Sequence, residues 1–275
     1  MRIILLFLVL GFSSVYAESP WDGKVAAKAE GSNYLVFGDD VNVRKSSDTS
    51  SDALFRLQAG ESVKILRKTK VLQVIDGDPE YWYEIDASGK TGMVWGGLLA
   101  DGAFRTNSTL LLVRNLGVKN SECELRVLRD GRDVSRTNWH SGPVSGETPF
   151  TLIFLPVTGF DRPPQLFFYL DYFVFSEIEY GYESRALFTL SGNGSPDFQF
   201  SWTTAFNDPP ACSETSFLLP GDNLPADKKI KRGIYSGKRN SILLLDHDYQ
   251  MDSPGSDEYR LREYRWTGSR FLSAE

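Results

Sequence analysis

Tyr81-Trp82-Tyr83-Glu84-Ile85-Asp86-Ala87-Ser88-Gly89-Lys90-Thr91-Gly92-Met93-Val94-Trp95 is the stretch that decides the fold class. Two apolar runs flank the turn residues Asp86-Ala87-Ser88-Gly89-Lys90, so turn chemistry and flanking apolar residues together read as a β-hairpin. Upstream, Ser62-Val63-Lys64-Ile65-Leu66 puts Val63 and Ile65 on one face and Lys64 on the other, the period of a half-buried strand. Further upstream stand Tyr34-Leu35-Val36-Phe37, the break Gly38-Asp39-Asp40, Val41-Asn42-Val43-Arg44, and a Ser/Asp-rich loop over 45–52. Short apolar runs divided by Gly, Ser and Asp predict an all-β unit over residues 31–101.

The order and spacing of Val41-Asn42-Val43-Arg44, Leu57-x-x-Gly60-Glu61-x-Val63, Trp82-Tyr83-x-Ile85 and Gly89-Lys90-Thr91-Gly92-x-Val94 resemble the bacterial SH3 (SH3b) domain family. The resemblance covers 71 of the 275 residues. It implies a barrel similar to eukaryotic SH3 domains. It also implies an adaptor role in an exported protein, with peptidoglycan or another envelope protein as partner. Many relatives carry an aromatic directly after the last hairpin glycine; this chain has Met93 there and regains an aromatic at Trp95.

Tyr81, Trp82, Tyr83 and Trp95 are the aromatic cluster of this unit. Alternation sets Tyr81 and Tyr83 on the face opposite Trp82. One reading makes most of them the core of a small barrel, because aromatics bury the most area per residue. The other leaves one face to a guest, since flat rings capture extended peptides or glycans at little entropic cost. On that reading Trp82 is core, and Tyr81, Tyr83 and Trp95 are the ligand-binding candidates.

Residues 102–275 repeat the same grammar on a larger scale. Thr109 to Arg114, Glu124 to Leu128, Phe150 to Leu155, Leu166 to Phe175, Arg185 to Leu190 and Asp197 to Trp202 are apolar runs, with Asp130-Gly131 as a hairpin signal. No stretch of ten residues carries a helical period. The expected fold class is therefore all-β, a small SH3-like barrel followed by a larger antiparallel β-sandwich-like domain. Asn240 to Asp246 and Tyr259 to Trp266 read as a final strand pair. Because Tyr259 and Leu261 have one parity and Tyr264 and Trp266 the other, a bulge is expected near Arg262 or Glu263.

The first seventeen residues have a basic start at Arg2, an apolar run from Ile3 to Phe12 and small residues before Ala17, the layout of a secretory signal peptide cut near Ala17. A polar lead over 18–30 follows. An apolar run of about ten residues is half the roughly twenty that span a bilayer, and no later run is longer. The mature chain is thus expected to lack a transmembrane segment and to reside in the periplasm or outside the cell. Removing 1–17 leaves 29 basic against 36 acidic residues, a formal charge of −7. An acidic chain without a dense Lys/Arg run excludes a nucleic-acid partner, whose phosphates demand many cations. Export would let Cys123 and Cys212 form a disulfide, although spacing alone does not decide between a bridge and two buried thiols.

Catalytic and metal sets are sparse. Two His and two Cys cannot make a closed zinc site by themselves. Asp246-x-Asp248-x-Gln250-x-Asp252 with Asp257-Glu258 offers oxygens at calcium-loop spacing, but Met251 holds the place of the required glycine and Pro254 breaks the run, so a solvated acidic turn is expected. Asp171 shares a strand face with Phe167, Tyr169, Phe173 and Phe175, and its parity continues to Glu177 and Glu179. Alternate strand carboxylates lie roughly 6.6 Å apart, within the range inverting glycosidases use. No Ser-x-x-Lys, Gly-x-Ser-x-Gly or His-Glu-x-x-His occurs. The expected function is binding without turnover and without a cofactor, by an exported envelope adaptor. A wall hydrolase using Asp171, Glu177 and Glu179 and a purely structural assembly subunit are the alternatives.

Overall fold

A computed structural model describes residues 25–106, 108–116, 122–140, 151–175, 181–190, 194–208, 211–224, 236–253, 255 and 257–274. The proposed signal segment and Glu177 and Glu179 lie outside the described residues. The chain is all-β, and its described residues form three antiparallel sheets.

The first sheet comprises β1 (Asn33–Leu35), β2 (Val41–Arg44), β3 (Ala53–Leu57), β4 (Ser62–Ile75), β5 (Asp78–Ala87) and β6 (Lys90–Trp95), in the order β1-β4-β5-β6-β2-β3. It curls around Val36, Val41, Val43, Val63, Ile65, Tyr81, Tyr83, Ile85, Val94 and Leu99. The expected turn is present, with Ser88 and Gly89 both at positive φ between Ala87 and Lys90. Gly92 is needed for another reason. A Cβ there would meet Val43 at 2.6 Å and the Arg44 carbonyl at 3.0 Å, where β6 crosses β2. The β4–β5 hairpin is longer than the sequence reading gave it, and it closes on Asp76-Gly77, also both at positive φ. Within it, Thr69, Lys70 and Val71 stand opposite the single residue Trp82. Such a bulge bends the strand and re-aims the hairpin end.

The lead is not merely a polar arm. Val25 packs on the barrel core and Lys28 is buried.

The second sheet holds β7 (Gly102–Arg105), β8 (Thr109–Asn115), β9 (Glu122–Arg129) and β10 (Arg132–His140) in the order β10-β9-β8-β7. It is the middle layer of the molecule, which explains why Leu110 to Val113 form an unbroken apolar run rather than an alternating one. Leu111 and Val113 face Phe168, Leu170 and Phe188 of the third sheet. Leu110 and Leu112 face Phe37 and Ala100 at the barrel. On the barrel side of β9 stands Arg126, 2% exposed. Its guanidinium donates to the Phe37 carbonyl, to Asp39 at 2.5 Å and to Asp133 at 2.9 and 3.0 Å.

The third sheet is an eight-stranded meander of β11 (Thr151–Leu155), β12 (Leu166–Phe175), β13 (Gly181–Leu190), β14 (Pro196–Asp208), β15 (Ala211–Leu218), β16 (Ser241–Gln250), β17 (Glu258–Trp266) and β18 (Phe271–Ala274). Strands β14 and β15 pair only over Ala205–Asp208 and Ala211–Glu214, then part. The two wings so formed close on Phe167, Leu187, Trp202, Ile242, Leu244, Trp266 and Phe271. Rings bridge the gap that hydrogen bonds leave: Trp202 stacks on Phe217 at 5.1 Å and Phe200 on Tyr264 at 3.9 Å.

Two expectations are corrected here. The β16–β17 register runs without a break from Ser241↔Arg265 to Asp248↔Glu258, so no bulge occurs at Arg262 or Glu263. Both parities find a use instead. Tyr264 and Trp266 join the inner core, while Tyr259 on the other face stacks on His247 at 4.4 Å. The Cys123–Cys212 bridge is also absent: both cysteines are buried and neither is in a disulfide. Cys123 lies opposite Trp139 in the middle sheet and Cys212 opposite Tyr249 in the third, so their strands serve different layers. Burial holds the Cys123 thiol well above its ordinary pKa.

Replacing Arg126 by Met should cost about 2 kcal/mol in urea unfolding, below the roughly 3–5 kcal/mol of a fully buried pair because Asp39 and Asp133 are partly solvated. Arg126→Lys should recover little of it, since a single ammonium nitrogen cannot reach the acceptors that three separate guanidinium nitrogens now meet. A thiol reagent added without reductant should titrate two groups per chain in denaturant and almost none in the folded protein.

Candidate functional site

The barrel strand β2 sorts its residues by parity. Val41 and Val43 enter the core, and Asn42 and Arg44 turn to the other side, beside Asp39 and Asp40 of the preceding turn. These polar residues line a groove of about 350 Å³. Ile75, Asp76 and Asp78 at the end of the β4–β5 hairpin line it too, as do Leu98 and Arg114. Its lining includes Trp82 and Trp95, which are direct cross-strand partners.

Gln73 fixes both indoles. Its side-chain oxygen accepts from Trp82 Nε1 at 2.7 Å, and its backbone carbonyl accepts from Trp95 Nε1 at 3.1 Å. The bulge at Thr69 to Val71 is what brings Gln73 to them. Other lining residues are similarly held. Arg44 donates to the Ser51 carbonyl at 2.5 Å, and Asp40 accepts from Gln58 at 2.8 Å. Asp39, also in the lining, accepts from Arg126 and from Arg136, at 2.5 and 2.6 Å. Four aspartates against two arginines give the lining a formal charge of −2.

The rings therefore divide differently from the expected assignment. Tyr81 and Tyr83, expected as ligand-binding residues, point into the barrel core, with Tyr83 fully buried. Trp82 is buried as expected, at 2% exposure, and Trp95, expected as a ligand-binding residue, is itself only 5% exposed; both line the groove. Alternation separates Tyr81 and Tyr83 from Trp82 but does not say which face of β5 the barrel closes upon. Gln73, Asp76, Asp78 and Arg114 were not singled out from the sequence. Asp76-Gly77 between apolar runs was the available signal, as an Asp-Gly pair is a strong hairpin mark.

A buried polar network ties the lead to the barrel. The Lys28 ammonium donates to Asp101 at 2.7 Å, and its backbone N–H donates to the Tyr83 hydroxyl at 3.0 Å. That hydroxyl donates to Glu80 at 3.3 Å. Burial pushes the Glu80 carboxyl up, with the Lys28 ammonium opposing only in part. Burial and then the Glu80 charge raise the Tyr83 phenol. For Lys28, burial pulls downward but the Asp101 and Glu80 carboxylates outweigh it, so its pKa rises. This explains Tyr83 as a structural residue.

The other expected sites are engaged elsewhere. Asp171 faces Arg185 in register on β13 and accepts from it at 3.1 and 3.3 Å. That guanidinium also lies 4.8 Å from the Tyr169 ring centre. Asp246, Asp248 and Gln250 lie in strand β16 and not in the expected acidic turn; Asp246 accepts from Arg262 and Thr215, and Asp257 is 3.0 Å from His247. Among the described residues no three acidic, His or Cys side chains gather as a metal site.

Residues 39–100 match the family described as the bacterial SH3 domain. The match covers the groove's two tryptophans and the aspartates of its lining. No curated protein matches the chain, and no solved structure matches it.

Changing Gln73 to Leu should leave the Trp82 indole N–H without its acceptor and destabilise the barrel by about 1–2 kcal/mol. Deuterium exchange at that indole proton should quicken in the variant; an unchanged rate would mean that Gln73 does not hold it.

Proposed function

We propose that this chain is an exported, non-enzymatic binding protein of the bacterial envelope whose SH3 domain holds an extended, amine-bearing peptide of the cell wall in the groove lined by Trp82 and Trp95. The bacterial SH3 match over 39–100 supports a wall-binding module. The observation that carries the finer reading is the groove itself: two indoles held by one residue, in a lining with a net charge of −2. An acidic cleft with low-dielectric walls raises the local concentration of cations.

Export rests on the basic, apolar and small-residue layout of residues 1–17. Among the described residues, no helix is long and apolar enough to cross a membrane. Tyr81 and Tyr83 have no part in this reading, because their rings belong to the core.

Purified full-length protein should sediment with wall sacculi. Asp76→Asn combined with Asp78→Asn should weaken retention by about tenfold, and added salt should do the same to wild type, as expected where charge steers binding. No retention of wild type at low salt would end the wall-binding reading.

A further inference from the structure

Arg114 comes from β8 of the middle sheet, not from the barrel, yet it lines the groove. Its guanidinium lies 4.8 Å from the Phe37 ring centre and donates to the Gly97 carbonyl at 2.9 Å and to Glu124 at 2.7 Å. Those contacts fix its rotamer, so little conformational entropy remains to be lost on binding. A guanidinium offers five N–H donors. Two are used in those bonds, and Nε is buried without an acceptor. The side chain as a whole remains 20% exposed.

The lining holds a second guanidinium, that of Arg44 on β2. Acidic and basic groups thus occur together in one groove. A purely cationic ligand would use only the carboxylates and would bring its charge beside Arg114 and Arg44.

We infer that the binding site is shared between the two domains and takes a zwitterionic peptide, its amine facing Asp76 and Asp78 and its carboxylate received by Arg114. This rests on the groove reading above and adds to it a residue outside the SH3 domain and an anionic group on the ligand. The second domain then has a direct part in recognition. It supplies Arg114 to the ligand and, through Arg126 and Arg136, holds Asp39 in the lining.

The test is calorimetric titration of the full chain with three synthetic probes: a lysine-bearing tetrapeptide with a free terminal carboxylate, the same peptide as its terminal amide, and the free acid with its lysine acetylated. Wild type should bind the free acid about tenfold more tightly than the amide, the scale of one hydrogen-bonded charge pair. Arg114→Gln should lose that preference and bind both with the affinity of the amide. Equal binding of acid and amide by wild type, with weaker binding of the acetylated probe, would overturn the shared site and leave the acidic-groove reading standing. Failure of wild type to bind any probe would overturn both. The wild-type comparison decides the matter even if Arg114→Gln unfolds.

Discussion

A guanidinium sealed between two layers governs how this molecule is put together. Removing an ion of that size from water carries a penalty of several kcal/mol, offset only if nearly every donor finds an acceptor in good geometry. Arg126 meets this with four hydrogen bonds to three residues, and two of those, Phe37 and Asp39, belong to the barrel. Small displacements of the barrel would strip the charge of its partners. The apolar contact of Phe37, Ala100, Leu110, Leu112 and Leu128 makes the interface adhesive, and Arg126 gives it a single register. Burial lowers the Arg126 pKa, but bonds to Asp133 and Asp39 more than restore it, so the charge persists.

The same constraint reaches the groove. Asp39 is both an acceptor for the second domain and part of the lining. Phe37, whose carbonyl takes Arg126, also carries Arg114 on its ring. Interface and site are therefore parts of one polar cluster. On the opposite side of the barrel, Lys28 and Asp101 play a comparable role, joining the lead to the start of the second domain through Asn115, whose N–H donates to Asp101 at 2.7 Å.

Much of the barrel was legible because a small β-unit is marked by local features. Ser88-Gly89 fixes a turn, and alternation in Ser62 to Leu66 fixes a buried face. The middle sheet was partly legible: Asp130-Gly131 marks the β9–β10 turn, where both residues have positive φ. Its burial on two faces was not, because a continuous run such as Leu110 to Val113 does not say which layers cover it. The third sheet's strands were readable singly, but the parting of β14 from β15 has no local mark. It comes from Trp202, Phe217, Phe200 and Tyr264 meeting across the gap.

What the sequence determined by itself was the class of structure and the alternation of Tyr81, Trp82 and Tyr83, because backbone sterics and side-chain period are properties of neighbours along the chain. It could not determine which side of that alternation became core, whether Cys123 met Cys212, or that Arg114 would stand over an SH3 groove. Those depend on which faces of distant strands come together. That choice is made by total burial and by the satisfaction of charges such as Arg126, sums over the whole packed molecule that no local stretch contains.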